Sequence, residues 1–379
     1  MENLLKLAEC GQSYWLDNLT RKKILSGELE NRVQKQGLRG VTSNPAIFNK
    51  AISQSEDYDS DIQKFSKEGL NAEEIYEKLV IQDIQDACDI LKSVYEKTNG
   101  VDGFVSLEVS PHLAHHTELT KEDARRLFQE VDRPNCLIKI PGTEAGIPAI
   151  EQMLYEGINI NITLLFSVER YEAVANAYLN ALERRLQENL PIDSIASVAS
   201  FFLSRIDVLC DELLQHRILP QQNELSDLSK SLLGTVAVAN AKNAYQSFKK
   251  IFQGKRWEAL AEKGARVQRP LWASTSTKNP KYSDVMYVEP LIGKQTVNTL
   301  PDQTIEAFAD HGTVSCNAVE QDVEKAKKTF AQLKDAGIDL SHATLQLVNE
   351  GIQKFIDPYD SLMESIEKKS KPEKFRKTA

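Results

Sequence analysis

Apolar residues along this chain occur in short runs that alternate with longer segments of helical periodicity. The clearest short run is 157–165, where isoleucine or leucine occupies the even positions and Asn159, Asn161 and Thr163 the odd ones. Such alternation predicts a strand with one apolar and one polar face. The segment 57–98 instead has apolar residues three and four positions apart, which is typical of an amphipathic helix.

The same pattern, followed along the chain, predicts eight strands with helices after them. The predicted strands are 13–17, 38–45, 103–109, 136–141, 157–165, 195–202, 269–274 and 296–301. The predicted helices are 1–13, 20–36, 57–98, 119–131, 144–156, 167–188, 204–217, 229–252, 256–263, 302–309, 319–335 and 341–355. Helix caps are expected at Thr20, Thr120 and Ser167, because hydroxyl side chains accept hydrogen bonds from the first turn of a helix.

Strands that each precede a helix define the α/β class, and eight such units predict a (β/α)8 TIM barrel, here with additional helices. The alternative is a doubly wound open sheet, but no GxGxxG turn opens a first βα unit. No linker or internal repeat divides the chain. We therefore predict one domain over residues 1–366, followed by a charged and frayed tail at 367–379.

Composition and charge exclude several classes of protein. Hydrophobic residues make up 41% and charged residues 27% of the 379 positions, as in soluble globular proteins. A net charge of -9 argues against a general nucleic-acid binder, although a local basic pocket stays open. No apolar segment approaches the ~20 residues of a membrane span, and the N-terminal residues lack the pattern of a signal peptide. We expect a cytoplasmic protein without membrane or nucleic-acid partners.

Cysteines and histidines provide no metal-binding pattern. The cysteines are odd in number and include no CxxC pair, which predicts reduced and mostly buried thiols: Cys10, Cys88, Cys136, Cys210 and Cys316. His112, His115 and His116 have no second ligand cluster of matching spacing. We expect no metal site.

One predicted strand carries a lysine in the middle of an apolar run. Lys139 lies within the segment 136–143, between Ile138 and Ile140 and before a Pro-Gly pair. Burial in such a strand disfavours the charged form of an amine, and an uncharged amine is a nucleophile suited to Schiff-base chemistry with a carbonyl. The alternative is a lysine that reaches solvent or pairs with a carboxylate. This strand alone leaves both interpretations open.

Polar residues on neighbouring strands decide between them. If the apolar residues of each strand face the helices, alternation turns a set of polar side chains into the barrel near the strand ends: Asp17, Thr42, Asn44, Glu108, Lys139, Asn161 and Thr163. Barrel enzymes place their active sites at the C-terminal ends of the strands. Buried charge without a function costs several kcal/mol per ion. The convergence therefore favours an active site over an inert polar core.

Two segments resemble a known family. Residues 40–48, GVTSNPAIF, resemble the first signature of transaldolases, and residues 137–141, LIKIP, together with 158–167, are similar to their lysine segment. The resemblance extends from about residue 10 to residue 355. The segments 197–205 and 271–275 are most similar to the longer bacterial branch of the family.

The resemblance implies a cofactor-free barrel enzyme of the pentose phosphate pathway. Such enzymes transfer a dihydroxyacetone unit from sedoheptulose 7-phosphate to glyceraldehyde 3-phosphate, which yields erythrose 4-phosphate and fructose 6-phosphate. The partners implied are sugar phosphates, and the protein is expected to be a monomer or a homodimer.

The resemblance also implies a role for each residue that matches the family pattern. Lys139 corresponds to the Schiff-base lysine, Glu108 and Thr163 to the groups that move protons through a held water, and Asp17 to the base of carbon–carbon bond cleavage. The implied substrate-binding residues are Asn44, Asn161, Ser200, Phe202, Arg205 and Lys278. Lys278 is the nearest cation where a second phosphate-binding arginine has no clear counterpart.

Two other functions compete with this one. A related barrel aldolase would release the fragment to water, and such aldolases can carry a hydroxyl side chain at the position of Phe202. A sugar-phosphate-binding barrel without chemistry would have no need of a desolvated amine. The set of Lys139, Glu108 and Asp17 therefore argues against simple binding.

Overall fold

Eight parallel strands close into a barrel in this computed structural model, which describes residues 2–218 and 223–371. The strands are β1 (Gln12–Leu16), β2 (Gly40–Thr42), β3 (Phe104–Glu108), β4 (Cys136–Pro141), β5 (Ile160–Leu165), β6 (Ser197–Phe202), β7 (Arg269–Ala273) and β8 (Thr296–Leu300). Each strand pairs with the next in the chain, and β8 pairs with β1. The predicted (β/α)8 TIM barrel with additional helices is confirmed.

Helices surround the barrel and also cover its ends. They are α1 (Glu2–Glu9), α2 (Arg21–Leu25), α3 (Glu28–Gln36), α4 (Pro45–Ser53), α5 (Asp59–Lys67), α6 (Ala72–Lys97), α7 (Thr117–Val131), α8 (Gly146–Glu156), α9 (Val168–Gln187), α10 (Ser204–Gln215), α11 (Glu224–Leu232), α12 (Val236–Ile251), α13 (Lys255–Ala261), α14 (Asp302–His311), α15 (Val323–Asp335) and α16 (Leu340–Ser370). Within the described residues, no helix is both long enough and apolar enough to cross a membrane.

Strand register aligns the polar positions that alternation predicts. Glu108 on β3 is level with Lys139 on β4, and Lys139 is level with Asn161 on β5. Because side chains alternate along a strand, level residues on neighbouring strands point to the same side of the barrel wall. The three polar side chains therefore share one layer of the barrel interior.

Three predicted helices are each a pair of shorter ones. The segment 229–252 contains the end of α11 and the whole of α12, with Gly234 at a φ of +67° between them. The segment 20–36 divides into α2 and α3 at Gly27, whose φ of +75° suits glycine. The segment 57–98 divides into α5 and α6 near Gly69, whose φ is +90°. Asn71 then starts α6 with a capping box, because its side chain accepts from the backbone of Glu74 while the Glu74 carboxylate accepts from the backbone of Asn71.

Two of the three predicted helix caps are confirmed. The side chains of Thr20 and Ser167 accept from backbone N–H groups of α2 and α9. The Thr120 cap is wrong, because α7 already begins at Thr117 and places Thr120 inside the helix. There the Thr120 hydroxyl donates to the carbonyl of Leu113 instead, at 2.9 Å.

The last helix is much longer than its predicted span of 341–355. It continues through Pro358 to Ser370 and packs against α4, α5, α6 and α10. The predicted frayed tail at 367–379 begins within this helix, and its residues 372–379 lie outside the described part of the chain.

The expectation that all cysteines are reduced is wrong for one pair. Cys10 and Cys316 form a disulfide, with Cα atoms 4.9 Å apart and 306 positions between them in sequence. The spacing of cysteines along the sequence does not predict this pair, because it is closure of the barrel that brings the two segments together. Cys88, Cys136 and Cys210 are free and buried, as expected.

Candidate active site

Lys139 lies in the barrel interior and is paired there. Its Nζ donates to Glu108 Oε2 at 3.1 Å and to the carbonyl of Ser43 at 2.9 Å. Only 6% of the Lys139 side chain and 4% of the Glu108 side chain are exposed. The same Nζ lies 5.7 Å from the ring centroid of Phe355. The amine therefore does not reach solvent; it is held in a dry site beside one carboxyl group.

Two carboxyl groups near this amine have pKa values above those of ordinary carboxyl groups. Burial raises the pKa of Glu108, and the charge of Lys139 opposes that shift. Burial also raises the pKa of Asp17, against the hydrogen bond from Thr42 and the charge of Lys139. Raised carboxyl pKa values near a nucleophile are typical of groups that exchange protons during catalysis.

Hydrogen bonds fix the amide of Asn161 next to the lysine. Asn161 Nδ2 donates to Ser106 Oγ at 3.0 Å, and Ser200 Oγ donates to Asn161 Oδ1 at 2.6 Å. All three side chains are buried. Strands β3, β5 and β6 thus supply a layer of polar atoms in fixed orientation beside Lys139.

Asp17 and Asn44 follow the ends of β1 and β2 on the other side of the site. Asp17 Oδ1 accepts from Thr42 Oγ1 at 2.8 Å, and Thr42 Oγ1 lies 2.7 Å from Thr299 Oγ1. The side-chain oxygen of Asn44 accepts from the backbone N–H of Ile47 and caps α4. Its Nδ2 makes no hydrogen bond to any described residue and is free to donate to a ligand.

Arg205 is a cation without a carboxylate partner in the described structure. Its guanidinium lies 5.4 Å from the ring centroid of Phe202 and 5.7 Å from that of Phe355. Its Nη1 is buried and has no hydrogen-bond partner within the described part of the chain. Burial lowers the pKa of Arg205, which shows that its charge is poorly solvated. A poorly solvated, unpaired guanidinium is suited to bind a phosphate.

Lys278 stands at the edge of this site. Its Nζ donates to Ser276 Oγ. Burial lowers the pKa of Lys278, the charge of Arg205 lowers it further, and Asp17 opposes both effects. The side chain therefore acts on the charges of the site without lining its cavity.

Backbone strain accompanies the site at two strand ends. The register of β5 against β6 shifts between Ile162 and Leu165, and Leu164 has a φ of +60°. Ser274, directly after β7, has a φ of +56°. Residues other than glycine with such φ values occur often at active sites. Alternation in the sequence does not predict the irregularity in β5, which follows Thr163. The Oγ1 of Thr163 is buried and has no hydrogen-bond partner in residues 2–218 and 223–371.

A cavity of about 90 Å³ unites these groups at the C-terminal ends of the strands. Its lining is Asp17, Thr42, Asn44, Lys139, Thr163, Ser200, Phe202, Arg205, Ala273, Ser274, Thr299 and Phe355. Seven of the ten site residues predicted from the sequence are among them. Glu108 and Asn161 stand directly behind the lining, bonded to Lys139 and Ser200.

Phe355 was missed because its helix was interpreted as an addition outside the barrel. Gly351, one turn earlier on α16, allows the close approach: a Cβ there would lie 2.9 Å from Leu164 Cδ2 and 3.2 Å from Arg205 Nη1. A glycine inside a helical pattern is the signal that could have indicated this contact.

No group of three or more potential metal ligands occurs within residues 2–218 and 223–371. The donor set at the cavity is instead an amine, amides, hydroxyls and two carboxyls around an unpaired guanidinium. A closed parallel barrel with such a set at its C-terminal end defines a (β/α)8-barrel enzyme.

Comparison with known proteins identifies the family. Residues 14–366 match the family described as Transaldolase/Fructose-6-phosphate aldolase. The chain is 53% identical over 375 residues to Transaldolase 2 of Nostoc sp., covering 98% of both chains. It is 52% identical to a transaldolase of Trichodesmium erythraeum over 97% of this chain and 98% of the relative, and 43% identical to one of Mycobacterium ulcerans over 96% of each. The chain belongs to the transaldolase/fructose-6-phosphate aldolase family.

Proposed function

We propose that this protein is a transaldolase that transfers a dihydroxyacetone unit from sedoheptulose 7-phosphate to glyceraldehyde 3-phosphate. The buried Lys139, in contact with Glu108 and facing a cavity that also contains Asp17, is the observation that carries this proposal. Such a site has a nucleophile and two separate proton acceptors, which is what cleavage through an imine requires.

The first half of the reaction forms the imine. Once Lys139 has passed a proton to Glu108, its amine attacks the ketone carbon of the donor, and the resulting carbinolamine loses water as the C=N bond forms. Glu108, which contacts the amine, and Thr163 are the groups we assign to proton transfer in this step. Glu108 Oε1 and Thr163 Oγ1 are buried without hydrogen-bond partners among the described residues, which leaves both oxygens available for that exchange.

The second half breaks and remakes a carbon–carbon bond. Asp17 takes the proton of the donor hydroxyl as the bond breaks, and the electron pair passes into the imine to give an enamine. Erythrose 4-phosphate leaves, the enamine carbon attacks the aldehyde of glyceraldehyde 3-phosphate, and Asp17 returns the proton. Water then adds to the new imine, and its hydrolysis releases fructose 6-phosphate and regenerates the Lys139 amine. We assign Asn44, Asn161 and Ser200 to the hydroxyl groups of the bound fragment, because their amides and hydroxyl surround the lysine.

The test of the function is a product balance. With sedoheptulose 7-phosphate and glyceraldehyde 3-phosphate, a transaldolase forms erythrose 4-phosphate and fructose 6-phosphate in equal amounts and releases little free dihydroxyacetone. Chromatography of all products against time measures this ratio. Rapid release of dihydroxyacetone without an acceptor would assign the aldolase reaction instead, which the family description also includes.

Replacement of Phe202 by tyrosine should shift the reaction from transfer toward release. Phe202 presents an apolar ring to the cavity and packs against Phe166 at 5.4 Å between ring centroids. A hydroxyl there would place a proton donor or a water near the enamine, which the dry wall otherwise protects. We expect release of dihydroxyacetone from fructose 6-phosphate to rise at least about tenfold while transfer falls.

The matched control is Phe128→Tyr, at a partly buried phenylalanine on α7 that does not line this cavity. It should leave the ratio of release to transfer at the wild-type value. An unchanged ratio in Phe202→Tyr would remove Phe202 from the set of residues that decide between the two reactions.

Replacement of Arg205 by alanine should weaken the binding of phosphorylated substrates. Because Arg205 is unpaired, its guanidinium has the capacity to make charge-assisted hydrogen bonds, each worth about 1.5–3 kcal/mol. We expect KM for fructose 6-phosphate to rise about 10- to 100-fold, with a much smaller effect on unphosphorylated fructose. Arg205→Lys should restore part of the loss. Equal losses on both donors would assign Arg205 a structural role.

We also propose that the protein is cytoplasmic and that it is a monomer or a homodimer. The free buried thiols of Cys88, Cys136 and Cys210 support a reducing compartment, whereas the disulfide between Cys10 and Cys316 is unusual there. A place in the pentose phosphate pathway follows from the proposed substrates. Size-exclusion chromatography with light scattering measures the assembly directly.

A further inference from the structure

A second cavity lies at the opposite end of the barrel from Lys139. Its volume is about 780 Å³, compared with about 90 Å³ for the catalytic cavity. The residues that line it come from the starts of β1, β3, β4, β6 and β7, from the segments before β2, β3, β7 and β8, from the end of α1 and from α13. Volumes of about 300–1,000 Å³ are typical of small-molecule sites. The cavity is therefore large enough for a ligand and is separated from the catalytic site by the barrel core.

The charge of this cavity is opposite to that of the whole chain. Four cations and two carboxylates line it: Arg39, Arg266, Arg269, Lys294, Glu9 and Asp102. The chain as a whole has a formal net charge of -9. A concave region with an excess of cations in an acidic protein attracts anions selectively.

One of the arginines forms a rigid floor. Arg269 donates to Asp102 Oδ1 at 2.8 Å, to Ser13 Oγ at 2.6 Å and to the carbonyl of Thr296 at 2.7 Å. Its Nε is buried and has no hydrogen-bond partner among the described residues, and the same holds for Oε1 of the neighbouring Gln12. Both residues line the cavity and are more than nine-tenths buried. The floor thus has one donor and one acceptor that no described residue satisfies.

The remaining cations have no carboxylate partner among the described residues. Arg39 and Lys294 make no side-chain hydrogen bond or ion pair there, and Arg266 donates only to the carbonyl of Gly100, at 2.9 Å. Glu9 also lacks an ion pair to any described residue but is a single charge against three. Arg269, by contrast, is neutralised by Asp102. These three cations are free to bind an anion.

We propose that this cavity binds a phosphate monoester of a small polyol, as a second ligand site that is independent of the catalytic one. The guanidinium groups of Arg39 and Arg266 have the fork geometry that phosphate oxygens accept, and Lys294 adds a third charge. Gln12 and Arg269 contribute the unsatisfied acceptor and donor at the floor, which a ligand hydroxyl would satisfy on entering beneath the present cavity surface. Trp257 and Val267 form an apolar wall beside them.

Titration with glycerol 3-phosphate, followed by calorimetry, tests the proposal. This probe has no carbonyl group, so it cannot form an imine with Lys139. The test variant is Arg39→Gln with Lys294→Gln. The control is Lys67→Gln with Lys78→Gln, which removes two exposed lysines that do not line the cavity. Turnover of both double variants verifies that the barrel is folded, because none of the four residues lies in the catalytic cavity.

We expect two binding events in the wild type and in the control variant. In the test variant the event assigned to this cavity should weaken by at least about tenfold, with turnover unchanged. Arg205→Ala should remove the other event, so the two sites titrate separately. The same titration with inorganic phosphate distinguishes a site for a phosphate monoester from a site for free phosphate. If the two ligands bind with equal affinity, the polyol contributes nothing to binding, and the monoester assignment is overturned. A single event that is unchanged in the test variant would overturn the proposal of a second site.

Discussion

Turnover and imine trapping should both disappear when Lys139 is replaced by alanine. The wild type, mixed with fructose 6-phosphate and borohydride, should gain the mass of a reduced adduct on one lysine, since borohydride reduces the C=N bond irreversibly. Without the amine no imine forms, and we expect turnover to fall by at least about 10⁴-fold. Intact mass spectrometry and the product balance measure the two effects in the same sample.

A second variant and a matched control separate chemistry from folding. Removal of Lys139 leaves Glu108 buried without its ion pair, so Lys139→Met, which preserves most of the volume, should be tested beside alanine. Lys242 is another buried lysine, whose Nζ donates to the carbonyls of Ala318 and Gln321 outside the catalytic cavity. Lys242→Met should retain trapping and turnover. An adduct that persists in Lys139→Ala would place the nucleophile on another lysine.

Replacement of Asp17 by asparagine should stop the reaction after the imine has formed. Asparagine preserves the hydrogen bond from Thr42 but cannot accept the hydroxyl proton that bond cleavage releases. We expect turnover to fall about 10³-fold, within the range of a lost general base. Borohydride trapping should continue, but the adduct should have the mass of the whole six-carbon donor. In the wild type, with no acceptor aldehyde added to consume the enamine, the three-carbon fragment should be trapped as well.

The control for this variant is Asp207→Asn. Asp207 is also buried, and burial raises its pKa to about 6, but it accepts from Ala237 and Tyr287 away from the catalytic cavity. The Asp207→Asn variant should have wild-type turnover and give the wild-type pattern of borohydride adducts. A three-carbon adduct in Asp17→Asn would show that bond cleavage does not require Asp17.

The raised pKa of Asp17 also predicts the direction of the pH dependence. The base must be ionised to accept a proton, and burial raises its pKa above the ordinary 3.8. As the pH falls through that raised value, the ionised fraction falls and kcat falls with it. The acidic limb of the kcat profile should therefore lie above the pH at which an exposed aspartate titrates. The residual activity of Asp17→Asn should lack that limb.

The order and type of the main elements could be read from the chain because each is encoded locally. Alternation in 157–165 is visible without knowing what surrounds it, and the resulting strand β5 spans Ile160–Leu165. Helix lengths were less accurate where one residue changes the backbone, as at Gly27 and Gly69. Local periodicity does not distinguish one long helix from two shorter helices joined at such a glycine.

Most of the catalytic cavity was also predictable, since barrel geometry converts strand position into spatial position. The alternation of Glu108, Lys139 and Asn161 with apolar neighbours placed all three inside once the barrel was assumed. The resemblance added Ser200 and Arg205, which simple alternation did not single out. Phe355 was beyond either approach, because its contact with the site depends on how α16 crosses the barrel mouth.

The sequence by itself determined the barrel, the buried lysine and the family, because strand alternation and the two signature segments are properties of neighbouring residues. Only the tertiary structure decided which distant groups meet. It pairs Cys10 with Cys316 across 306 positions, brings Phe355 over Lys139, and collects Arg39, Arg266 and Lys294 around one cavity. These contacts join segments that are distant in sequence and are brought together in space by barrel closure and helix packing. Patterns among neighbouring residues do not predict such contacts.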